Sequence, residues 1–315
     1  MSNLPFLSVV IPCYNAERYI AATIDSVLVQ GHADLEIIVV DDGSRDGSVA
    51  LLRKQFPDVH VVEQANQGVA VARNTGIARA RGTWIAFVDA DDIWLPGKLQ
   101  AQFDAIALNP ACRMSYTAWQ VWPCDEPAPG AAYLAELDAT AGDQARWAGA
   151  SGWIYPQLLL DCVVWTSTVL VERALLAEIG GFDPTLRVGE DYDLWLRASR
   201  VTPILRVARP FALYRVHPAS ITHSMPTDNY RATVIGRAMA QWGIDSPDGS
   251  RADLAAIRRG IAKSWSDLAS AHLNAGNVGM ARRGCREALR ADMTHLPAWK
   301  VLLKSFAPAH ERAPA

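Results

Sequence analysis

The feature that most constrains this chain is the alternation, over its first ninety residues, of short β-branched runs with stretches of helical spacing. The runs fall at Leu7–Ile11, Glu36–Val40, Val59–Val62 and Trp84–Val88, the β half of a βαβαβαβ pattern. In the first intervening stretch Ile20, Ile24, Val27 and Leu28 recur at i, i+4, i+7 and i+8, one apolar helical face, and Asn15 stands where a cap belongs. The second begins at the capping residues Ser44–Asp46 and carries Val49, Leu52 and Phe56. Near-continuous apolar strands joined by helices imply an α/β, Rossmann-like parallel sheet covered on both faces. Such a sheet binds its ligand outside the carboxyl ends of its strands.

Those ends are polar. The first run stops in Pro12-Cys13-Tyr14-Asn15, the second in Asp41-Asp42-Gly43-Ser44 and the fourth in Asp89-Ala90-Asp91-Asp92, so three polar termini point at one crevice. Neither GxGxxG nor GxxxxGK[ST] follows the first run, which removes the fingerprints of dinucleotide and P-loop nucleotide binding. Three carboxylates within four residues repel one another unless a cation compensates them, which suits Mg²⁺ or Mn²⁺ holding a substrate diphosphate. A solvated turn or a helix cap is the competing reading of the same residues.

Composition narrows the remaining classes. A 315-residue chain that is 50% hydrophobic can bury a full core and suggests one large domain plus a smaller one. A net charge of −3 gives no electrostatic reason to expect a nucleic-acid partner. Cys13, Cys112, Cys124, Cys162 and Cys285 are odd in number and never spaced as CxxC, so neither a disulfide framework nor a zinc site is expected. The histidines lack ligand spacing, and no GxSxG motif is present. The start has no basic segment before its short apolar run, and no stretch of eighteen apolar residues occurs, so the expectation is a soluble protein of the reducing cytoplasm.

Residues 123–152 are rich in Pro, Ala and Gly and break periodicity, reading as a loop or mobile insertion. Beyond about residue 226 strand signals vanish, which divides the chain into 1–226 and a helical region, 227–315. In that region Trp265 and Leu268 recur 34 residues later as Trp299 and Leu302, with Ala269, Gly276, Ala281 and Ala288 between them. The period resembles a tetratricopeptide repeat, although Met293 stands at its late proline position. One repeat cannot bury its own face, so it packs on the first domain, on a protein partner or on a second copy in a homodimer. A helical hairpin that merely closes the domain is the alternative.

Seven motifs in order carry a wider resemblance: SVVIPCYN at 8–15, VVDDGSRDGS at 39–48, NQGVAVARNTGIARARG at 66–82, FVDADD at 87–92, TSTVLVERALLAEIGGFDPTL at 166–186, GEDYDLWLR at 189–197 and YRVHPASIT at 214–222. Together they resemble the family 2 glycosyltransferases, whose fold is GT-A, over roughly residues 6–223, about seventy per cent of the chain.

The resemblance implies roles. Tyr14 matches the aromatic that lies against the nucleotide base, with Pro12 giving backbone contact, and Asp42 with Asp41 would bond the base or ribose. Arg73 and Asn74 belong to the segment that approaches the donor sugar and phosphates, and Gly68 lets backbone come close to the ligand. Asp91 matches the metal ligand and Asp89 the ribose or an outer-sphere water, with Asp92 as a helper. Asp191 matches the base that deprotonates the acceptor, with Glu190 beside it. His217 matches a position that reaches the metal or diphosphate, Arg215 would add positive charge near the leaving group, and Trp165 and Thr166 match an acceptor-side wall. Plain structural readings stand beside these: an Asx turn for Asp42, an ion pair for Arg73, helix N-terminal acids for Glu190 and Asp191, and a solvated or structural residue for Asp193.

The implied activity is inverting transfer of a sugar from a nucleoside-diphosphate donor, UDP-linked, to a hydroxyl of a saccharide or lipid-linked acceptor. This places the protein in surface polysaccharide or glycolipid assembly, peripherally associated with the inner face of the membrane. The rivals are a sugar-phosphate nucleotidyltransferase, whose glycine-rich basic signature PCYNAERYI lacks, and an inactive sugar-nucleotide-binding scaffold that works through its helical tail.

Overall fold

A computed structural model describes residues 5–122, 128–140, 149–216 and 225–306. The chain divides into two compact units, residues 1–154 with 162–217, and residues 155–161 with 218–315.

The first unit opens with β1 (Leu7–Cys13), α1 (Ile20–Leu28), β2 (Leu35–Asp41), α2 (Ser48–Gln55), β3 (His60–Glu63), α3 (Val69–Arg79) and β4 (Trp84–Phe87). These strands pair in parallel in the order β3-β2-β1-β4, as the alternating periodicities require. The sheet then changes character. After β5 (Ile93–Trp94), α4 (Lys98–Leu108), β6 (Met114–Trp122) and α5 (Ala131–Thr140), the chain leaves for the other unit through α6 (Tyr155–Leu158). It returns through a 3-10 turn at Thr166–Thr168, β7 (Leu170–Glu172), α7 (Arg173–Ile179), α8 (Glu190–Ala198) and β8 (Ile204–Arg215). The full order is β3-β2-β1-β4-β7-β6-β8-β5, with β7 antiparallel to both β4 and β6, and β8 parallel to β6. This mixed half combines the long strands β6 and β8, nine and twelve residues, with the short β5 and β7, two and three residues.

β1 and β2 are interior strands, each paired on both sides, and nearly every side chain on them is buried. Val9, Ile11, Ile20, Ile24, Val27, Val39 and Leu52 form one cluster beneath α1 and α2. Leu28, placed by its spacing on the apolar face of α1, is 51% exposed, because the helix ends there. Asn15 does not cap α1; Tyr19 precedes the helix, and Asn15 lies in a left-handed turn at φ 51°. The segment 123–152, read as irregular, contains α5.

The second unit is helical in its described residues: α6, α9 (Tyr230–Trp242), α10 (Leu254–Asn274), α11 (Val278–Ala291) and α12 (Leu296–Lys304). Asn229 and Asp253 cap α9 and α10 by accepting from the amides of Ala232 and Ala255. α10 and α11 meet through small residues, a Cβ at Gly284 having only 2.9 Å to the Ala269 Cβ and 3.1 Å to the Trp265 carbonyl oxygen, and Ala298 of α12 joins Ala262 and Ala288 in a buried cluster. No described helix is long and apolar enough to cross a membrane.

Within the first unit one contact sets how closely a helix can lie on the sheet. A Cβ at Gly76 of α3 would stand 2.3 Å from Cγ1 of Val10 on β1. Gly76→Ala therefore overpacks this layer by about 1–3 kcal/mol. A fall of several degrees in thermal midpoint by circular dichroism is expected, with partial recovery when Val10→Ala is added. An unshifted midpoint would mean that α3 does not sit this close.

Candidate functional site

The carboxyl ends of β1, β2 and β4 assemble the site, and loop-to-loop hydrogen bonds fix it. At the first end Tyr14 is 49% exposed, just beyond Pro12 on β1. The left-handed turn at Asn15 lets its amide donate to Ser44 Oγ at 2.9 Å while its side-chain oxygen accepts from the Arg45 amide at 2.8 Å. The Ala16 amide donates to Ser48 Oγ and the Glu17 amide to Asp46, so the β1–α1 and β2–α2 loops are one tied body. Cys13, beneath this knot, is not a reactive thiol: burial first, and then the charge of Asp41, push its pKa up to about 12.

The two aspartates after β2 do different things. Asp42 Oδ1 accepts from Gln64 Nε2 and the Gln67 amide, and Oδ2 from the Gly68 amide at 2.8 Å, so this carboxylate shapes the loop that starts α3. Asp41 Oδ2 accepts from the Ser44 amide, whereas its Oδ1 is buried and has no hydrogen-bond partner among the described residues. A buried acceptor left without a donor costs free energy. Asp41 is therefore the better placed of the pair to receive a ligand hydrogen bond. Gly68, at φ 92°, has open space where a Cβ would stand.

The acidic turn after β4 is anchored from three sides. The Thr23 hydroxyl lies 2.9 Å from the carbonyls of both Ala90 and Asp92. Ser167 Oγ accepts from the Asp89 amide and donates to Asp92 Oδ2, which also accepts from the Trp165 indole at 3.0 Å. Arg215, entirely buried, donates its backbone amide to Asp92 Oδ1 and its Nε to the Asp91 carbonyl at 2.7 Å, and its guanidinium is sandwiched between the rings of Tyr19 and Trp122 at 4.6 and 4.4 Å. Arg215 thus holds the acidic turn from behind. Burial, together with the charges of Asp91 and Asp89, pushes the Asp92 carboxyl well above the ordinary carboxylate range, so it is an interior strut.

Asp91 is left half-buried on the turn, its backbone held by Arg215. Mg²⁺ and Mn²⁺ sites that also engage substrate phosphates need only one or two protein carboxylates, so this residue fits such an ion. Among the described residues no group of three or more acidic, histidine or cysteine side chains converges as a ready cage. His217 lies outside the described residues.

The other acidic pair begins α8. Gly189, at φ 83°, turns the chain into the helix and sets Glu190 and Asp191 in its first turn. Asp191 Oδ2 accepts from Thr166 Oγ1 at 2.9 Å and its Oδ1 from the Tyr192 amide. Asp193 pairs instead with Arg197 four residues on, whose other donors reach the carbonyls of Ile179 and Gly181. Glu190 is buried and accepts from Arg73 Nη1 at 2.7 Å, while Nη2 of the same guanidinium reaches Asp89 Oδ1 at 2.6 Å. One arginine on α3 therefore ties the acidic turn, 16 residues on, to the start of α8, 117 residues on. Burial opposes the Arg73 charge, but Asp89, Glu190 and Asp191 outweigh it and hold the group protonated. For Glu190 the balance differs: burial, then the Asp191 charge, exceed what a shared Arg73 supplies, and its pKa rises to about 7. Asn74, beside Arg73, clamps the Phe182 backbone with both ends of its amide, at 2.8 and 2.9 Å.

Of the expected residues, Asp42 is bonded to Gly68, Arg73 to both Asp89 and Glu190 beside Asp191, and Asn74 and Arg215 to the backbone of Phe182 and Asp91, while Tyr14, Asp41 and Asp91 stand at the same strand ends. Sequence reasoning missed Thr23 and Ser167. The only available signal was position, Ser167 lying next to Thr166 in the WTST segment.

Two outcomes follow. Arg73→Ala leaves three carboxylates facing one another in a buried site, so it lowers unfolding free energy by about 3–5 kcal/mol; a urea midpoint equal to wild type would contradict the double ion pair. The unfolded chain loses the Glu190 proton near its ordinary value of 4.5, whereas the folded chain keeps it to about 7. This group's contribution is therefore full below 4.5 and is lost as pH rises through 7. Glu190→Gln should remove that downward slope from stability measured between these limits.

Residues 8–116 match the family model described as glycosyl transferase family 2. A Bacillus subtilis protein assigned as a teichuronic acid biosynthesis glycosyltransferase, TuaG, is 34% identical over 196 residues, covering 61% of this chain and 71% of TuaG. Among solved structures, S. aureus TarS residues 1–349 in complex with UDP-GlcNAc superposes with a TM-score of 0.63 at 14% identity, covering 95% of this chain and 90% of that one. The mannosyltransferase PcManGT of Pyrobaculum calidifontis, in complex with GDP-Man and Mn²⁺, gives 0.54 at 20% identity, covering 95% and 79%. At these identities the structural likeness speaks to the fold, which is GT-A. With the sheet order, the paired acidic stations and a relative of this identity and coverage in agreement, the chain belongs to glycosyltransferase family 2.

Proposed function

We propose that this glycosyltransferase transfers a sugar from a UDP-linked donor to an acceptor hydroxyl with inversion, in assembly of a surface polysaccharide or glycolipid. One observation carries the reading: the connected carboxylates divide into a donor station, with Asp91 half-buried on its turn, and a second station where Asp191 opens α8, held together by Arg73. Opposed stations of this kind are what a single displacement at an anomeric carbon requires.

In this mechanism the donor base rests against Tyr14 and is bonded by Asp41, whose Oδ1 has no hydrogen-bond partner among the described residues, while Asp42 keeps the Gln64–Gly68 loop and Pro12 the strand end in shape. Asp91, with His217, would hold Mn²⁺ or Mg²⁺, which supplies Lewis-acid stabilisation of the departing diphosphate. Asp191 Oδ2, oriented by Thr166, takes the proton of the acceptor hydroxyl as that oxygen bonds to the anomeric carbon and the bond to the diphosphate oxygen breaks. Glu190 keeps Arg73 in place, and Arg73 sets the spacing between base and donor. The bound ligands named for TarS and PcManGT support a nucleotide-sugar donor and a divalent ion, and the name of TuaG supports a polysaccharide product. The catalytic domain is read as residues 1–226, acting at the inner face of the membrane. The tetratricopeptide-like region 227–315 is read as the contact surface for a second copy or a protein partner.

Purified protein with a panel of UDP- and GDP-sugars and Mn²⁺ or Mg²⁺ should release the nucleoside diphosphate, and EDTA should stop it. Asp91→Ala should abolish release without lowering the thermal midpoint, and unchanged turnover in that variant would sink the metal assignment. Asp191→Asn should reduce kcat by about 10²–10⁴ while UDP still raises the melting temperature.

A further inference from the structure

The paired strands β6 and β8 carry different residues on their two faces. Trp122 stands opposite Arg215, and on that face Trp122 stacks on Tyr133 at 6.1 Å and covers the Arg215 guanidinium. Side chains alternate along a strand, so Trp119 and Val121, with Tyr214 opposite Val121, share the other face. Toward the core end of this face Ala212, opposite Trp119, is fully buried and Trp119 packs against the main cluster, whereas Val121 near the strand end is half exposed. Trp165 lies on it, its ring 4.3 Å from that of Tyr214 and 6.2 Å from that of Trp119, the latter nearly parallel at 27°. None of the three rings is fully buried.

The position of this cluster is fixed from the active-site side. The Trp165 indole donates to Asp92 at 3.0 Å, and the next residue, Thr166, donates to Asp191. The aromatic surface thus begins one residue from the hydroxyl that orients the proposed base.

We infer that Trp119, Trp165 and Tyr214 form a stacking floor for a pyranose ring of the acceptor, so that the acceptor is a saccharide rather than a bare polyol phosphate or lipid alcohol. A pyranose presents one face of C–H groups, apolar and slightly positive, which suits the negative face of an aromatic ring, while its rim hydroxyls stay free for Asp191 and Thr166. A polyol phosphate has no such flat face and carries a charge that a floor of rings does nothing to compensate. The inference rests on Asp191 marking the acceptor side.

The test is a titration of intrinsic tryptophan fluorescence with gluco-, galacto-, manno-, N-acetylhexosamine- and uronate-containing disaccharides, alongside ribitol phosphate and glycerol phosphate, with UDP and Mn²⁺ present. A saturable change with at least one disaccharide is expected, and none with the polyol phosphates. Trp119→Leu and Tyr214→Leu should each weaken saccharide binding tenfold or more, and Tyr214→Phe should restore it. A thermal shift with UDP, expected to match wild type, shows that each variant is folded and its donor site formed. Response to the polyol phosphates alone, no response to any disaccharide, or equal affinity in the leucine variants would overturn the floor. Loss of the UDP shift in the wild-type protein would instead overturn the donor reading, leaving the saccharide titration to be judged by itself.

Discussion

The buried guanidinium of Arg73 between Asp89 and Glu190 is the interaction on which the rest of the site depends. It lies on α3, packed on β1 through Gly76, and it reaches the end of β4 with one arm and the start of α8 with the other. Without it, acidic groups drawn from two distant segments would repel across a low-dielectric interior. With it, their spacing becomes a fixed property of the central sheet rather than of flexible loops.

A second layer does the same for orientation. Ser167, Thr23, Trp165 and Arg215 take up the backbone and side-chain oxygens of the acidic turn, so that Asp92 is turned inward and Asp91 is left half-buried. The rings that enclose Arg215 and the rings outside it occupy opposite faces of one strand pair. The separation of Trp122 from Trp119 and Tyr214 thus follows from strand alternation.

Much of this was legible in the chain. The first four strands and three helices follow from periodicity, because buried parallel strands must be apolar on both faces. The strand-end positions of Tyr14, Asp41, Asp42, Asp89 and Asp91 follow from where the apolar runs stop. Less legible were β5, too short to carry a pattern, and α5, whose Ala-rich stretch has little apolar periodicity. Asn15 looked like a cap but forms a left-handed turn, a conformation that asparagine tolerates better than most residues.

What the sequence by itself determined was the class of the fold and the list of polar groups at its strand ends, since both depend on local spacing. Which of those groups is filled by protein partners was decided only by tertiary structure. Asp42 and Asp41 are neighbours with the same side chain, yet one is filled by the amides of a loop some 25 residues away and the other keeps an oxygen unpartnered among the described residues. Arg73, Asn74 and Arg215 carry donors suited to a substrate, but each finds its partner in segments 108 to 124 residues distant in the chain. Hydrogen-bond and ion-pair partners are chosen by proximity in space, and no local pattern encodes a contact across that separation.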